Sequence, residues 1–155
     1  MPESFSIVET KELMTAVISL AILRTEIQVA MNAAIAEIIS TLSAQNIAPA
    51  GPLFSYHLKR PSDMFYFEVG FPVTTPVTPT GRVTLSKLPS TKVARAIYSG
   101  GYEGLAGAWG SFFSAIKSQN LEAQGIFWES YTSGPQHSSN PANWITELNC
   151  PLVGG

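Results

Sequence analysis

Two glutamates occupy matching places in the two halves of the sequence, and each could do chemistry. Glu68 and Glu147 lie near the ends of apolar strands, four residues before Pro72 and Pro151. A carboxylate on such a strand is costly to bury unless a cation or a hydrogen bond compensates. The pattern therefore predicts two acidic site residues, with a solvent-facing position on a half-exposed strand as the open alternative.

Aromatic residues lie close to both glutamates in the sequence. Most of them should form the core, but a planar cation between rings gains cation–π attraction as well as an ion pair with a carboxylate. Tyr131 precedes Glu147 on the neighbouring strand, and Trp109 lies on a helix notched by glycines. The predicted ligand-binding residues are Glu147, Tyr131, Trp109, Glu68, Phe71, Tyr66 and Trp128.

The similarity between the halves predicts a duplicated module. Ile7 aligns with Val83 and Lys11 with Lys87 at one constant offset. Repeats of this length indicate two copies of a folding unit, because solenoid repeats are shorter. We predict a single domain made of a first module over residues 1–73, a linker over 74–81 and a second module over 82–155. A ligand cleft is expected on the pseudo-twofold axis.

The hydrophobic pattern predicts the order β-β-α-β-β in each module. In the first module we expect a hairpin of strands 5–10 and 13–22, and after the helix strands at 53–59 and 64–73. In the second module we expect a hairpin of strands 82–88 and 92–98, and after the helix strands at 127–132 and 143–152. Apolar residues recur at helical spacing from Ile27 to Leu42 and from Leu105 to Ile116. A helix inside each module can cover one face of a mostly antiparallel sheet, so the fold class is α+β. Thr25 and Gln28 form a capping-box pattern at the first helix start.

The composition excludes several classes of function. Charged residues are only 13% and the net charge is −2, with no basic run that would bind nucleic acid. The single cysteine, Cys150, excludes an intrachain disulfide, and a small buried hydrophobe is its expected role. His57 and His137 stand alone, so we predict no metal and no cofactor. The N-terminus lacks a basic signal-peptide region, so we expect a soluble cytoplasmic protein without a membrane partner.

Several short motifs, taken in order, resemble one family. They are Phe67-Glu-Val-Gly-Phe-Pro-Val73, Tyr98-Ser-Gly-Gly-Tyr102, Trp128-Glu-x-Tyr131 and Trp144-Ile-Thr-Glu147. The chain resembles GyrI-like domains, which are small-molecule-binding proteins related to the effector-binding domains of bacterial multidrug-responsive regulators. The resemblance implies paired modules around a cleft that binds lipophilic, often cationic aromatic compounds. It also implies that Glu147 is the pocket glutamate, with Tyr131 and Trp109 beside it and Glu68 as its counterpart.

Three functions remain open from the sequence. The leading hypothesis is a stand-alone protein that captures lipophilic or cationic aromatic molecules. The resemblance also allows a hydrolase of cyclopropane-containing DNA-alkylating compounds, with Glu147 as general acid or base and Tyr131 polarising the substrate. A third hypothesis is an inhibitor that contacts gyrase. Because no helix-turn-helix pattern precedes Phe5, we expect no direct contact with DNA.

Overall fold

The computed structural model describes residues 5–58, 64–134 and 138–154. These residues form an α+β fold with two helices and eight strands, in the predicted order β-β-α-β-β, twice. The elements are β1 Ser6–Glu9, β2 Leu13–Leu23, α1 Ile27–Ala44, β3 Phe54–His57, β4 Met64–Pro72, β5 Thr84–Leu88, β6 Lys92–Ser99, α2 Leu105–Ser118, β7 Phe127–Ser133 and β8 Ile145–Pro151.

The chain divides into two compact units. The central unit lies within Lys11–Ser90, and the terminal unit combines the described residues of Met1–Thr10 with those of Thr91–Gly155. The modules predicted from the sequence, 1–73 and 82–155, differ from these units at two strands. β1 belongs with the second half of the chain, and β5 belongs with the first.

Both predicted hairpins are therefore wrong. β1 pairs antiparallel with β6, and β5 pairs antiparallel with β2. Tight two-residue hairpin loops favour Gly, Asn or Asp, because these residues adopt positive φ easily. Lys11-Glu12 contains none of them. Thr10 instead exchanges hydrogen bonds with Thr91, donating its amide to the carbonyl at 2.9 Å and accepting at Oγ1 from the amide at 3.0 Å.

The strands of the central unit run in the order β3-β4-β2-β5, each antiparallel to its neighbour. α1 packs on one face, where Ile38 and Leu42 share a core with Ile18 and Val69. Residues 74–81, predicted as a linker between modules, are part of this unit, because Val77 is buried in the same core. An ion pair of 2.9 Å between Arg82 and Glu37 fastens the end of that segment to α1.

The helical segment Arg24–Ala44 is long and apolar enough, by length and composition alone, to cross a membrane. It is a core helix, because its inward residues pack against β2 and β4. The helix ends at Ala44, shortly before Asn46 takes a left-handed φ of 58°. The predicted capping box is not formed at its start, because the N-cap is Glu26 and makes no side-chain capping bond.

The strands of the terminal unit run in the order β1-β6-β8-β7, again antiparallel. α2 covers one face, which we call the helix face, and buries Phe112 and Ile116 against Leu148 and Cys150. Cys150 is a fully buried thiol, as predicted for a small core residue. Because side chains alternate along a strand, the register decides which residues share the helix face with α2.

Candidate functional site

A buried glutamate that the sequence analysis did not select lies at the centre of the terminal unit's polar contacts. Glu129 on β7 is only 8% exposed. Trp109 Nε1 donates a hydrogen bond of 2.6 Å to its Oε2, and the Tyr131 hydroxyl donates one of 2.6 Å to its Oε1. Each carboxylate oxygen thus accepts from a neutral donor, so the two bonds hold the group in place without cancelling its charge.

The local sequence explains why these three side chains meet. Glu129 and Tyr131 are two residues apart on β7, so both point to the helix face. Glu129 pairs in register with Leu148, a core residue under α2. Trp109 projects from α2 toward the same face, 7% exposed, with its ring centroid 4.5 Å from that of Phe127. Packing of the indole therefore aims its N–H at the carboxylate.

Tyr102 adds a further ring beside this carboxylate. It begins the 3₁₀ turn Tyr102–Gly104, directly before α2. Its ring centroid lies 5.7 Å from that of Tyr131 and 4.9 Å from that of Trp144. Burial raises the pKa of the Tyr102 hydroxyl above its ordinary value, and the negative charge of Glu129 raises it further. We call Glu129, Trp109, Tyr131, Tyr102 and Trp144 the Glu129 site.

The chemistry of the Glu129 site suits a lipophilic cation. A desolvated carboxylate attracts positive charge more strongly than an exposed one, since water screens it less. The surrounding rings offer π faces to the same cation. Because Glu129 and Trp109 are almost fully buried, a ligand reaches the carboxylate only when part of the aromatic cover moves aside.

Glu147, the predicted pocket glutamate, lies on the other face of the same strands. It pairs with Ser130 on β7, whereas Tyr131 pairs with Thr146. Its side chain is 25% exposed and lies 3.5 Å from Arg95 Nε, and Asn149 Nδ2 donates to it at 3.2 Å. The structure therefore does not bring Glu147 together with Tyr131 and Trp109, because a shift of one residue along a strand reverses the face.

The remaining predicted ligand residues are spread over both units. In the central unit, Glu68 accepts a 2.8 Å hydrogen bond from Ser86, and its charge adds to burial in raising the pKa of the Tyr56 hydroxyl. Tyr66 shares the face of Glu68, and Phe71 packs against the core beneath α1. In the terminal unit, Trp128 is buried on the face of Glu147. The ligand cleft expected on the pseudo-twofold axis stays a prediction.

The sequence of residues 3–153 matches the family of GyrI-like small molecule binding domains. The chain belongs to this family. No curated protein matches its sequence.

Solved structures share the GyrI-like fold at low sequence identity. The crystal structure of the EcmrR C-terminal domain is 15% identical, with a TM-score of 0.84 over 96% of each chain. In the EcmrR–DNA complex the identity is 17% and the TM-score 0.83 over 96% of this chain, which spans only 57% of the EcmrR chain. SAV2435 bound to tetraphenylphosphonium is 12% identical, with a TM-score of 0.71 over 97% of this chain and 94% of SAV2435.

A hydrolase has this fold as well. The protein encoded by lin2189 from Listeria innocua, described as a hydrolase, is 15% identical. Its TM-score is 0.62, and the alignment covers 98% of this chain and 93% of the hydrolase. The TM-scores show that the fold is shared, but identities this low show nothing more. The function of this GyrI-like domain therefore has to be argued from its own residues.

His57 of this GyrI-like domain is a core residue of the central unit. Its Nε2 lies 3.0 Å from Ser55 Oγ, and its ring stacks on Phe67 with a centroid distance of 5.0 Å. Burial lowers the pKa of His57 to about 4, so the imidazole is neutral near pH 7. His137 lies outside the described residues. Among those that are described, no group of three His, Cys, Asp or Glu residues is placed to hold a metal ion.

The glycines of α2, which predicted a notched surface, line a shallow open depression of about 630 Å³. Its lining is small and uncharged: Gly107, Gly110, Ser111, Ser114, Ala115 and Ser118. Glu129 does not line it. The depression therefore offers shape without the charge that the Glu129 site supplies.

A signal for Glu129 was present in the sequence. Glu129 is the only charged residue in the strand Phe127–Ser133, and Tyr131 follows it at the spacing that shares a face. It also belongs to the quoted motif Trp128-Glu-x-Tyr131. The repeated acid-to-proline spacing drew attention to Glu147 instead, although the alternation of β8 already placed that residue away from Thr146 and Leu148.

Proposed function

We propose that this GyrI-like domain binds lipophilic aromatic cations at the Glu129 site. The observation that carries the proposal is the buried carboxylate of Glu129, held at 2.6 Å by both Trp109 and Tyr131. Rings supply most of the contact area with such a ligand, and the fixed carboxylate selects for positive charge. The binding of tetraphenylphosphonium by SAV2435, which shares the fold, supports the choice of this ligand class.

Glu129 replaces Glu147 in this proposal as the residue that selects charge. Glu147 already lies beside the guanidinium of Arg95 and is partly exposed, so water and Arg95 both weaken its attraction for an added cation. Glu129 is buried and accepts hydrogen bonds from Trp109 and Tyr131, so water screens its charge less than that of Glu147. The two glutamates lie on opposite faces of the same unit, which makes each a matched control for the other.

Calorimetric titration with tetraphenylphosphonium tests the proposal. We expect Glu129→Gln to weaken binding about tenfold or more, since a desolvated cation–carboxylate attraction is worth at least about 1.4 kcal/mol. Glu147→Gln should bind like the unaltered protein. Triphenylphosphine oxide, a neutral compound with similar rings, should bind Glu129→Gln and the unaltered protein with similar affinity. Equal affinity of the two glutamine variants for the cation would refute the role of Glu129.

A second candidate function is hydrolysis of a strained, electrophilic small molecule such as a cyclopropane-containing alkylating compound. The observation that favours it is the 2.6 Å bond between the Tyr131 hydroxyl and Glu129, which pairs a proton donor with a carboxylate base. In this reaction Glu129 takes a proton from a water molecule, and the water oxygen forms a bond to a carbon of the strained ring. The breaking C–C bond leaves its electron pair on the adjoining electron-poor group, which Tyr131 polarises.

Mass spectrometry of the compound after incubation separates the two functions. A hydrolase produces a water adduct in amounts that exceed the protein, and Glu129→Gln abolishes that turnover. A binding protein returns the compound unchanged in stoichiometric amount. Spontaneous hydrolysis in buffer alone, measured in parallel, sets the background that turnover must exceed.

A further inference from the structure

The segment that carries Tyr102 is held by a neighbouring tyrosine. Tyr98, near the end of β6, donates a hydrogen bond of 2.7 Å from its hydroxyl to the carbonyl of Gly101. The same carbonyl accepts the amide of Gly104 at 3.2 Å. On the other side, the amide of Gly100 donates to the carbonyl of Trp144 at 3.0 Å. These bonds fix both ends of a short turn that leads into α2.

Glycines allow this turn to wrap closely around the Tyr98 hydroxyl. A Cβ on Gly104 would lie 2.1 Å from the hydroxyl oxygen, and one on Gly100 would lie 2.9 Å from it. Gly100 also has a φ of 139°, a conformation that other residues rarely adopt. A side chain at Gly100 or Gly104 would displace the Tyr98 hydroxyl. The hydrogen bond from this hydroxyl to the Gly101 carbonyl therefore requires glycine at both positions.

We propose that Tyr98 is a positioning residue for the Glu129 site. Its hydroxyl fixes residues 99–104, and this places the Tyr102 ring against Tyr131 and Trp144, beside the carboxylate. A preorganised ring contributes more to affinity, because less conformational entropy is lost on binding. The inference rests on the proposed function for its ligand, and it adds a residue that acts on that ligand only through Tyr102.

A double-mutant cycle on tetraphenylphosphonium affinity tests this indirect action. We expect Tyr98→Phe to weaken binding about fivefold, the effect of one lost hydrogen bond. Tyr102→Ala should weaken binding at least as much, and Tyr98→Phe should then have no further effect in the Tyr102→Ala background. A Tyr98→Phe variant that binds like the unaltered protein, or effects that add in the double variant, would overturn the proposal.

Gly104 provides a steric test of the same contact. Gly104→Ala should displace the Tyr98 hydroxyl and weaken cation binding. Combining it with Tyr98→Phe removes the atom at 2.1 Å and should recover part of the stability that Gly104→Ala loses, without restoring affinity. Gly110→Ala is the matched control, because a Cβ at that helix position meets no atom within 4 Å. Loss of affinity in the Gly110 variant equal to that in the Gly104 variant would contradict the local role.

Hydrogen exchange without any ligand separates this inference from the proposed function. Tyr98→Phe should speed exchange of the Gly100 and Gly104 amides while leaving the amides of β8 protected. If the unaltered protein binds no cation but this faster exchange is seen, the proposed function fails and the positioning role of Tyr98 over Tyr102 stands. If exchange at both glycines is unchanged, the positioning role fails whatever the affinity.

Discussion

The indole of Trp109 donates to Glu129 Oε2 at 2.6 Å, beside the ring contacts that Trp109 and Phe113 of α2 make with Phe127 of β7. A hydrogen bond to a buried carboxylate is stronger than one between neutral groups, and leaving that carboxylate without its donor is costly. This one contact therefore joins the stability of the terminal unit to the geometry of the Glu129 site.

Removing the indole N–H should destabilise the protein measurably. We expect Trp109→Phe to lower the free energy of unfolding by about 1–3 kcal/mol, because a buried acceptor on Glu129 loses its donor. Urea unfolding at pH 7 measures the change. Trp144→Phe is the matched control, since that indole donates to the carbonyl of Ser138 in a part-buried position and its loss should cost less. A control variant that loses as much stability as Trp109→Phe would argue against a special role for the carboxylate.

His57 should make stability depend on pH in a defined window. Its folded pKa of about 4 lies below the ordinary value of 6.5, so between these values the unfolded chain takes up a proton that the folded protein does not. The free energy of unfolding should therefore fall as the pH drops from about 6.5 to about 4. The expected loss is about 2 kcal/mol between pH 7 and pH 5.

The control for this pH effect is His57→Gln, which keeps a polar partner for Ser55 but does not titrate. Urea unfolding of both proteins at several pH values isolates the contribution of the imidazole, because other groups titrate alike in both. The difference in stability between the two proteins should shrink as the pH falls through the window. A constant difference from pH 7 to pH 5 would show that the imidazole is not the source.

Gly70 and Gly110 should respond to alanine in opposite directions. A Cβ on Gly70 would lie 2.0 Å from the backbone oxygen of Ala16 on the paired strand β2, and paired strands cannot separate locally without losing hydrogen bonds. We expect Gly70→Ala to cost about 3 kcal/mol or more. Gly110→Ala, on the open surface of α2, should stabilise the protein by about 1 kcal/mol through helix propensity. Thermal unfolding of both variants checks the contrast.

Replacing Thr146 by valine should leave the protein at least as stable as the unaltered protein. It is fully buried, and its hydroxyl has no hydrogen-bond partner within the described parts of the chain. Replacing an unsatisfied hydroxyl by a methyl group of similar size should leave the free energy of unfolding unchanged or raise it by about 1 kcal/mol. Thr10→Val should do the reverse, because the Thr10 hydroxyl bonds to the Thr91 backbone. Destabilisation by Thr146→Val would indicate a bound water or another partner at that hydroxyl.

The elements of the fold could be predicted well from the sequence, because they depend on local patterns. The helical spacing from Ile27 to Leu42 predicted α1, and the predicted strand at 143–152 contains β8. Strand partners could not be predicted in the same way. β1 pairs with β6 in the second half of the chain, and no local pattern identifies so distant a partner. The absence of Gly, Asn or Asp at Lys11-Glu12 argues against a tight hairpin, but it does not say where β1 pairs instead.

The candidate site shows the same division between local and distant information. The ligand-binding role of Tyr131 and Trp109 stays a prediction. The sequence placed them beside Glu147, whereas the structure brings both within hydrogen-bonding distance of a different carboxylate. That carboxylate is Glu129. The repeat did not mark it, because aligning Tyr56 with Tyr131 places Glu129 opposite Phe54, which carries no acid. Contact with gyrase stays a prediction, because nothing observed among the described residues tests it.

The placement of β1 also affects how the chain can fold during synthesis. β1 is synthesised before its partner β6, and the whole of Lys11–Ser90 is synthesised between them. β1 therefore stays unpaired until the central unit has been made. An incomplete chain ending before Thr91 carries a strand edge with no partner, which could recruit other chains until the remainder is translated.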